Sequence, residues 1–344
     1  MQTETLIVDP QRPEPDGIAR AAAILRAGGL VAFPTETVYG LGADALNPAA
    51  VQGIFTAKGR PSNNPLIVHV TTLARARTLT AAWPEVADRL AARFWPGPLT
   101  MVLPKSDAVP AIVTAGGPTV ALRMPAHPVA RALIDAADTP LAAPSANRST
   151  QVSSVRAEHV LRALSGRIDM IVDGGPAWDG LESTVVDLTA PRVAILRPGP
   201  IDAAMLAYAL GYEPASRDVH AAETDAEALP SPGLLRKHYS PAARVELTRD
   251  NGRAAAVAAV QQGLRVGWLP LIAGDVAAEV ANLELPTGVL RFAMPRDAAA
   301  YGRRLYDVFH QLEAADVGLI VVESPPQGVA WAAVLDRLTR AAAT

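Results

Sequence analysis

Cysteine is absent from the 344 residues. Its absence excludes disulfides, thiolate zinc sites, iron–sulfur clusters and cysteine nucleophiles, and it makes the cytoplasm the natural compartment. No stretch reaches the ~18 uninterrupted apolar residues of a membrane span, and Met1–Pro10 lacks the basic and apolar regions of a secretory signal. No membrane partner is expected. An excess of either charge is missing too: 31 basic against 34 acidic residues leave a net −3, so tight duplex nucleic-acid binding would need a local basic cavity. There is no Gly-x-Ser-x-Gly elbow, no Gly-Lys-Ser/Thr phosphate loop and no metal-ligand spacing of His, Asp and Glu. Covalent catalysis is therefore not expected, and any metal would arrive with a nucleotide.

Lysine is scarce. Of the 31 basic residues only Lys58, Lys105 and Lys237 are lysines, so a chain that writes nearly every positive charge as arginine has kept a compact ammonium at Lys58. A point charge on a flexible stem suits a phosphate. Lys58 opens the string Lys58-Gly59-Arg60-Pro61-Ser62-Asn63-Asn64-Pro65, in which Gly59, Pro61 and Pro65 describe a shaped turn rather than a helix interior. Both cations can converge there on one polyphosphate; the competing reading is two solvated charges behind a helix. Lys237 lies in a second unusual string, Ser231–Pro241.

With half its residues apolar, the chain can bury a full core, and its length fits two domains better than one. Residues 17–28 have helical spacing and stop at Gly28-Gly29, followed by the apolar run Leu30–Phe33, which reads as a buried strand. Thr35–Gly42 then places hydroxyls and glycines after a strand's carboxyl end, where open α/β sheets put ligands. Strands are expected at 66–70, 100–103, 119–123, 170–173, 184–188 and 193–197, with helices at 48–57, 84–94, 127–137 and 156–165 between them. Mixed α/β patterning over 1–212 gives way to a linker at 213–243. A second domain at 244–344 has helices at 252–262, 296–314 and from 328, and its alternation implies a small, mainly parallel sheet.

Ser145 and Asn147 in Pro144-Ser145-Ala146-Asn147 supply either a hydroxyl and an amide to a ligand or a cap to the next helix. Thr35 and Thr37 carry the same ambiguity. Arg123 emerges from an apolar strand and either forks onto a carboxylate or pairs with a structural acid. His69 is the one histidine in a plausible core position.

The ordered set Gly28–Gly42, Lys58–Pro61, Trp95–Thr100, Leu122–Pro125, Pro144–Asn147 and Glu182–Asp187 resembles the YrdC-type threonylcarbamoyl-adenylate synthases, and Ser231–Pro241 with the α/β tail resembles their long form. The resemblance implies a YrdC-like twisted mixed α/β sheet with a deep basic cavity, plus a smaller Rossmann-like C-terminal domain. It implies that L-threonine, bicarbonate or CO2, and ATP with Mg²⁺ are joined into threonylcarbamoyl-AMP and pyrophosphate, for a downstream tRNA threonylcarbamoyl-transferase. Lys58, Arg60, Ser145 and Asn147 would act on the phosphates and the reacting carbamate. Thr35, Thr37, His69, Arg123, Ala143 and Ser183 would hold threonine. Asn64, Thr119, Ser153 and Arg197 would line the ATP site, and His238 and Tyr239 would belong to a lid over it. One departure lies in the tail, where Leu335 stands at a position expected to be Asn. The rival readings are an RNA-binding module with at most weak or transient contacts, and a carbamoyl-transfer maturation domain, which normally accompanies cysteine-rich zinc modules.

Overall fold

The computed structural model describes residues 2–216, 238–272 and 285–343. They fall into two compact units: residues up to Ser149 and from Ser153 to Ser216 form the first, and Thr150–Val152 with those from His238 onward form the second. Most of the expected linker, including Lys237 and the 231–237 part of the proposed lid, lies outside the described residues.

The first unit is built on an eleven-stranded mixed sheet in the order β1-β8-β2-β3-β7-β4-β6-β5-β9-β10-β11. Its left half runs from Glu4–Ile7 (β1) through Val31–Phe33 (β2), Gly40–Asp44 (β3) and Leu141–Ala142 (β7), with Met170–Asp173 (β8) between β1 and β2. Its right half consists of Ile67–His69 (β4), Leu99–Pro104 (β5), Thr119–Arg123 (β6), Thr184–Asp187 (β9), Ala194–Arg197 (β10) and Ala215–Ser216 (β11). The last of these strands lies within the span read as linker.

Side chains alternate between the faces of a strand, so the two cores can be read residue by residue. Ala32, Leu41, Val68, Leu122, Met101 and Val186 join the large core on one face. It is closed by the helices Pro48–Lys58 (α2), Leu73–Thr78 (α3), Glu85–Phe94 (α4), Ala157–Leu164 (α6) and Ala203–Leu210 (α7). On the other face, Pro15–Arg26 (α1) and Pro128–Ala137 (α5) cover Val31, Phe33, Leu141, Ala143, Met170 and Val172. Further right on that face, the apolar cluster of Ile67, Val102, Ala121, Val185 and Leu196 is drawn from strands alone. The polar residues of interest stand between these two patches.

The second unit has a four-stranded sheet, Arg244–Thr248 (β12), Leu319–Glu323 (β15), Val266–Leu269 (β13) and Val289–Arg291 (β14), paired in that order and parallel throughout. That is the arrangement its strand–helix alternation predicts. The helices Arg253–Gln261 (α8), Ala298–Ala314 (α9) and Ala332–Ala341 (α10) accompany it, and α8 packs Ala256 and Ala259 onto Val266, Trp268 and Val321. Leu335 is half-buried on α10. Among the described residues, no helix is long and apolar enough to cross a membrane.

Candidate active site

Three segments of the first unit meet at the start of β4. Helix α2 ends at Lys58 and is closed by Gly59, whose φ of 64° is left-handed. The chain leaving β7 returns alongside, with Ser149 N donating to Lys58 O at 3.0 Å. Lys58 Nζ donates to Ser145 O at 2.6 Å, Asn147 O at 2.5 Å and Asn147 Oδ1 at 3.4 Å, and Ser145 Oγ donates to the same amide oxygen at 2.5 Å. Arg60 turns back on its own loop: Nε donates to Asn64 O at 3.1 Å, and Nη2 to Asn64 Oδ1 at 2.6 Å and Pro65 O at 2.8 Å. Arg148 closes the group, with Nη1 donating to Ala57 O at 3.3 Å.

Lys58 is 2% exposed and Arg60 9%, so the solvated-charge reading fails. Every acceptor of the Lys58 ammonium is a neutral oxygen. Burial first, and then the Arg60 and Arg148 charges, push its pKa well below that of an ordinary lysine. Packing like charges together in a water-poor site is unfavourable unless an anion completes it. The Nδ2 of Asn64, buried beside Arg60, likewise has no hydrogen-bond partner. These donors suit a ligand with several negative oxygens.

The other end of β4 has a different chemistry. Register pairs His69 with Arg123 across β4 and β6, and Arg123 with Thr100 across β6 and β5, so the three share one row of the sheet. Thr100 Oγ1 and Ser183 Oγ are 2.7 Å apart, and Arg197 fixes Ser183 by donating to its carbonyl from Nε (3.1 Å) and Nη2 (2.9 Å) and to its hydroxyl at 3.2 Å. Arg123 Nη2 lies 2.8 Å from Glu36 Oε1, both side chains being about 4% exposed. The pair is close without being aligned: neither Glu36 oxygen nor Arg123 Nη2 makes a hydrogen bond. His69 Nδ1 and His127 Nε2 are buried and unpartnered as well. Burial, followed by the Arg123 charge, lowers the His69 pKa to about 3; burial lowers His127 to about 4 against the opposing pull of Glu36. Both imidazoles are neutral at physiological pH.

The cationic end lies at the start of β4 and the Arg123 end at its finish, and the strand between them spans two rises, about 7 Å. Thr119, four residues before Arg123 on β6, stands at the cationic end, while Ser183 and Arg197 stand at the Arg123 end. Ser153 donates to Glu182 Oε1 at 2.5 Å, next to Ser183. Ala143 lies between the ends, its N–H donating to Ile67 O at 2.9 Å. The Thr35 hydroxyl is consumed by its own turn, donating to Val38 O at 2.6 Å, and contacts Thr37 Oγ1 at 2.8 Å. Ser145 caps no helix; its hydroxyl is bound to Asn147. His238 and Tyr239 pack within the second unit, edge to face with each other at 4.0 Å, with Tyr239 stacked on Tyr306 and beneath the Arg337 guanidinium at 4.9 Å.

One reading of the sequence is corrected. His69 is not the only core histidine, since His127, His159, His238 and His310 are buried too. His127 escapes pattern reading because it caps α5, accepting Val129 N through Nδ1 at 3.2 Å, and a cap lies outside the helical periodicity. Glu36 and Arg148 carry no sequence signal of their own, although Glu36 lies between Thr35 and Thr37 and Arg148 follows Asn147.

The mixed-sheet α/β unit thus carries a buried cationic turn at one strand end and a misaligned Arg–Glu pair at the other. The sequence comparisons carry this further. The Sua5/YciO/YrdC profile, described as telomere recombination, matches residues 23–199, and that of the threonylcarbamoyl-AMP synthase C-terminal domain matches 201–343. The threonylcarbamoyl-AMP synthase of Pyrococcus abyssi is 39% identical over 98% of this chain and 97% of its own. That of Bacillus subtilis is 42% identical over 97% of this chain and 93% of its own. The crystal structure of P. abyssi Sua5 complexed with L-threonine superposes with a TM-score of 0.89 at 37% identity, covering 99% of this chain and 98% of that one. The chain belongs to the Sua5/YciO/YrdC family of threonylcarbamoyl-AMP synthases, in its two-domain form.

Proposed function

We propose that the protein is an L-threonylcarbamoyladenylate synthase, a nucleotidyltransferase that joins L-threonine, bicarbonate or CO2, and ATP into threonylcarbamoyl-AMP with release of pyrophosphate. The observation that carries this reading is the placement of a buried cationic cluster at the start of β4 and of a misaligned Arg–Glu pair at its end. One end offers Lys58, Arg60 and Arg148 to phosphates; the other offers Arg123 to an amino-acid carboxylate. The full-length likeness to named synthases, one of them solved with L-threonine, supports the same assignment.

The chemistry asks for positioning and charge neutralisation, not for a protein nucleophile. The threonine ammonium first gives up a proton to solvent; the free amine adds to CO2 and loses a second proton to give a carbamate, whose oxygen attacks the α-phosphorus and expels pyrophosphate. Arg123, with His69 and Ser183 beside it, holds the carboxylate and hydroxyl end of threonine. Lys58 and Arg60 stabilise charge developing on the phosphates. Ser145 and Asn147, already tied to Lys58, face the reacting carbamate. The donor set at the cationic end consists of ammonium, guanidinium, hydroxyl and amide groups, which fits the phosphates; Mg²⁺ would ride on the nucleotide and shield its charge. The product would pass to a tRNA threonylcarbamoyl-transferase in the cytoplasm.

The test is incubation with ATP, Mg²⁺ and bicarbonate, with and without L-threonine, measuring pyrophosphate and adenylate together. Threonine-dependent formation of both is expected. Absence of both from the folded protein would refute the assignment.

A further inference from the structure

Glu36 is the residue of the Arg123 end that the reaction above leaves unused. It is 3% exposed, yet neither carboxylate oxygen accepts a hydrogen bond, although a carboxylate has about four acceptor sites. Its backbone is firmly held: Glu36 O accepts from Trp178 N at 2.9 Å and Asp179 N at 2.7 Å. Trp178 in turn stacks on His127, with ring centroids 4.8 Å apart. The backbone that carries the carboxylate is held, while the carboxylate itself is buried and unsatisfied. A buried, unbonded anion is costly unless a donor arrives. Arg123 beside it has the complementary deficit, an Nη2 without a hydrogen bond 2.8 Å from Glu36 Oε1. A side-by-side anion and cation, each short of a partner, match the two charges of an α-amino acid, which are separated by a single carbon.

We propose that Glu36 binds the α-ammonium of the amino-acid substrate while Arg123 takes its carboxylate, so that Glu36 makes the site specific for a zwitterion. The inference rests on the amino-acid reading of the Arg123 end. Glu36 also fixes where the nitrogen lies, and that nitrogen forms the new C–N bond once it has lost a proton.

The experiment titrates the full chain calorimetrically with L-threonine and with 3-hydroxybutanoate, which is threonine without its amine. The wild type is expected to prefer L-threonine by at least tenfold; equal binding would overturn the proposal without any variant. Glu36→Gln is expected to weaken L-threonine at least tenfold while binding 3-hydroxybutanoate no worse than the wild type, and that retained binding also reports an intact Arg123 site. L-Threonine affinity within threefold of the wild type, or equal loss of both ligands, would overturn it; the latter would make Glu36 only a support for Arg123. A wild type that turns over threonine while Glu36→Gln binds it normally defeats this inference alone. A wild type that neither binds threonine nor makes the adenylate defeats the functional assignment as well.

Discussion

Replacing Lys58 by Met should separate catalysis from stability, because the free protein gains about as much as it loses. The loss is of donors to Ser145 O, Asn147 O and Asn147 Oδ1. Leaving the two carbonyls unpaired costs about 1–3 kcal/mol each, while Asn147 Oδ1 keeps the bond from Ser145 Oγ. The gain comes from no longer holding a fully desolvated ammonium next to Arg60 and Arg148, a penalty of several kcal/mol per buried ion. With a side chain of similar length filling the space, the net change should stay within about 2 kcal/mol, a melting shift of roughly 4–8 °C at most in a unit of this size. Catalysis has no such offset. Removing one preorganised charge from a developing anion costs about 10²–10³ in rate. The assay pairs threonine-dependent pyrophosphate release with thermal melts of wild type and variant. Activity within threefold of the wild type would refute the phosphate role, and a melting loss well beyond 10 °C would show that Lys58 acts as a structural tether.

Three further outcomes follow from the same geometry. His69 and His127 stay neutral in the folded protein down to about pH 3 and pH 4, whereas in the unfolded chain they titrate near 6.5. Stability is thus full above pH 6.5 and falls by about 1.4 kcal/mol per pH unit per histidine as pH drops towards 4; urea unfolding of His127→Asn, which retains a helix-capping side chain, should show about half the combined slope of these two groups. Gly59→Ala places a Cβ in a left-handed position (φ 64°), 3.2 Å from Arg148 Nη2, and should cost about 1 kcal/mol and weaken nucleotide binding, read by melting and by ATP titration. Gly199→Ala would put a Cβ 2.3 Å from Thr184 N and 2.7 Å from Glu182 O, opening the turn that brings Arg197 onto Ser183; threonine affinity should fall more than ATP affinity, and equal losses would argue against the division of the site.

How much of this was legible in the sequence depends on the range of the interaction. Helix α1 and strand β2 announce themselves through helical spacing, the Gly28-Gly29 stop and the apolar run after it. Strand β3 did not, because Gly40-Leu41-Gly42 reads as a ligand loop, and it is a strand only because β2 and β7 flank it. Helix α7, Ala-Ala-Met-Leu-Ala-Tyr-Ala-Leu, is too uniformly apolar to show a face, and α3 is too short to show a period. At the site, Lys58 and Arg60 could be picked out by composition and turn chemistry. Their partners could not: Lys58 meets Asn147 across 89 residues, and Arg123 meets Glu36 across a comparable span. No local rule encodes such contacts; the family resemblance groups Lys58 with Asn147 but gives Glu36 no role.

The two ends of β4 differ in how they bear their charge, and this bears on how they bind. At the Arg123 end the protein has built its own counter-ion, so the Glu36–Arg123 pair keeps that region near neutrality. An arriving zwitterion leaves the net charge unchanged and exchanges one misaligned ion pair for two aligned ones; its affinity then comes from hydrogen-bond geometry and shape. At the Lys58 end no carboxylate pairs with the ammonium, and its neutral acceptors cannot cancel the charge shared with Arg60 and Arg148. A polyphosphate bound there would remove a repulsion as well as form contacts, and burial would keep that gain from being screened by salt. The fold can carry such an excess because Lys58 is tied at the last turn of α2 and at the Ser145–Asn147 loop, so the cations cannot move apart to relieve it. Charge that cannot relax is preorganised for the transition state of a phosphoryl displacement, whose own charge it meets without further rearrangement.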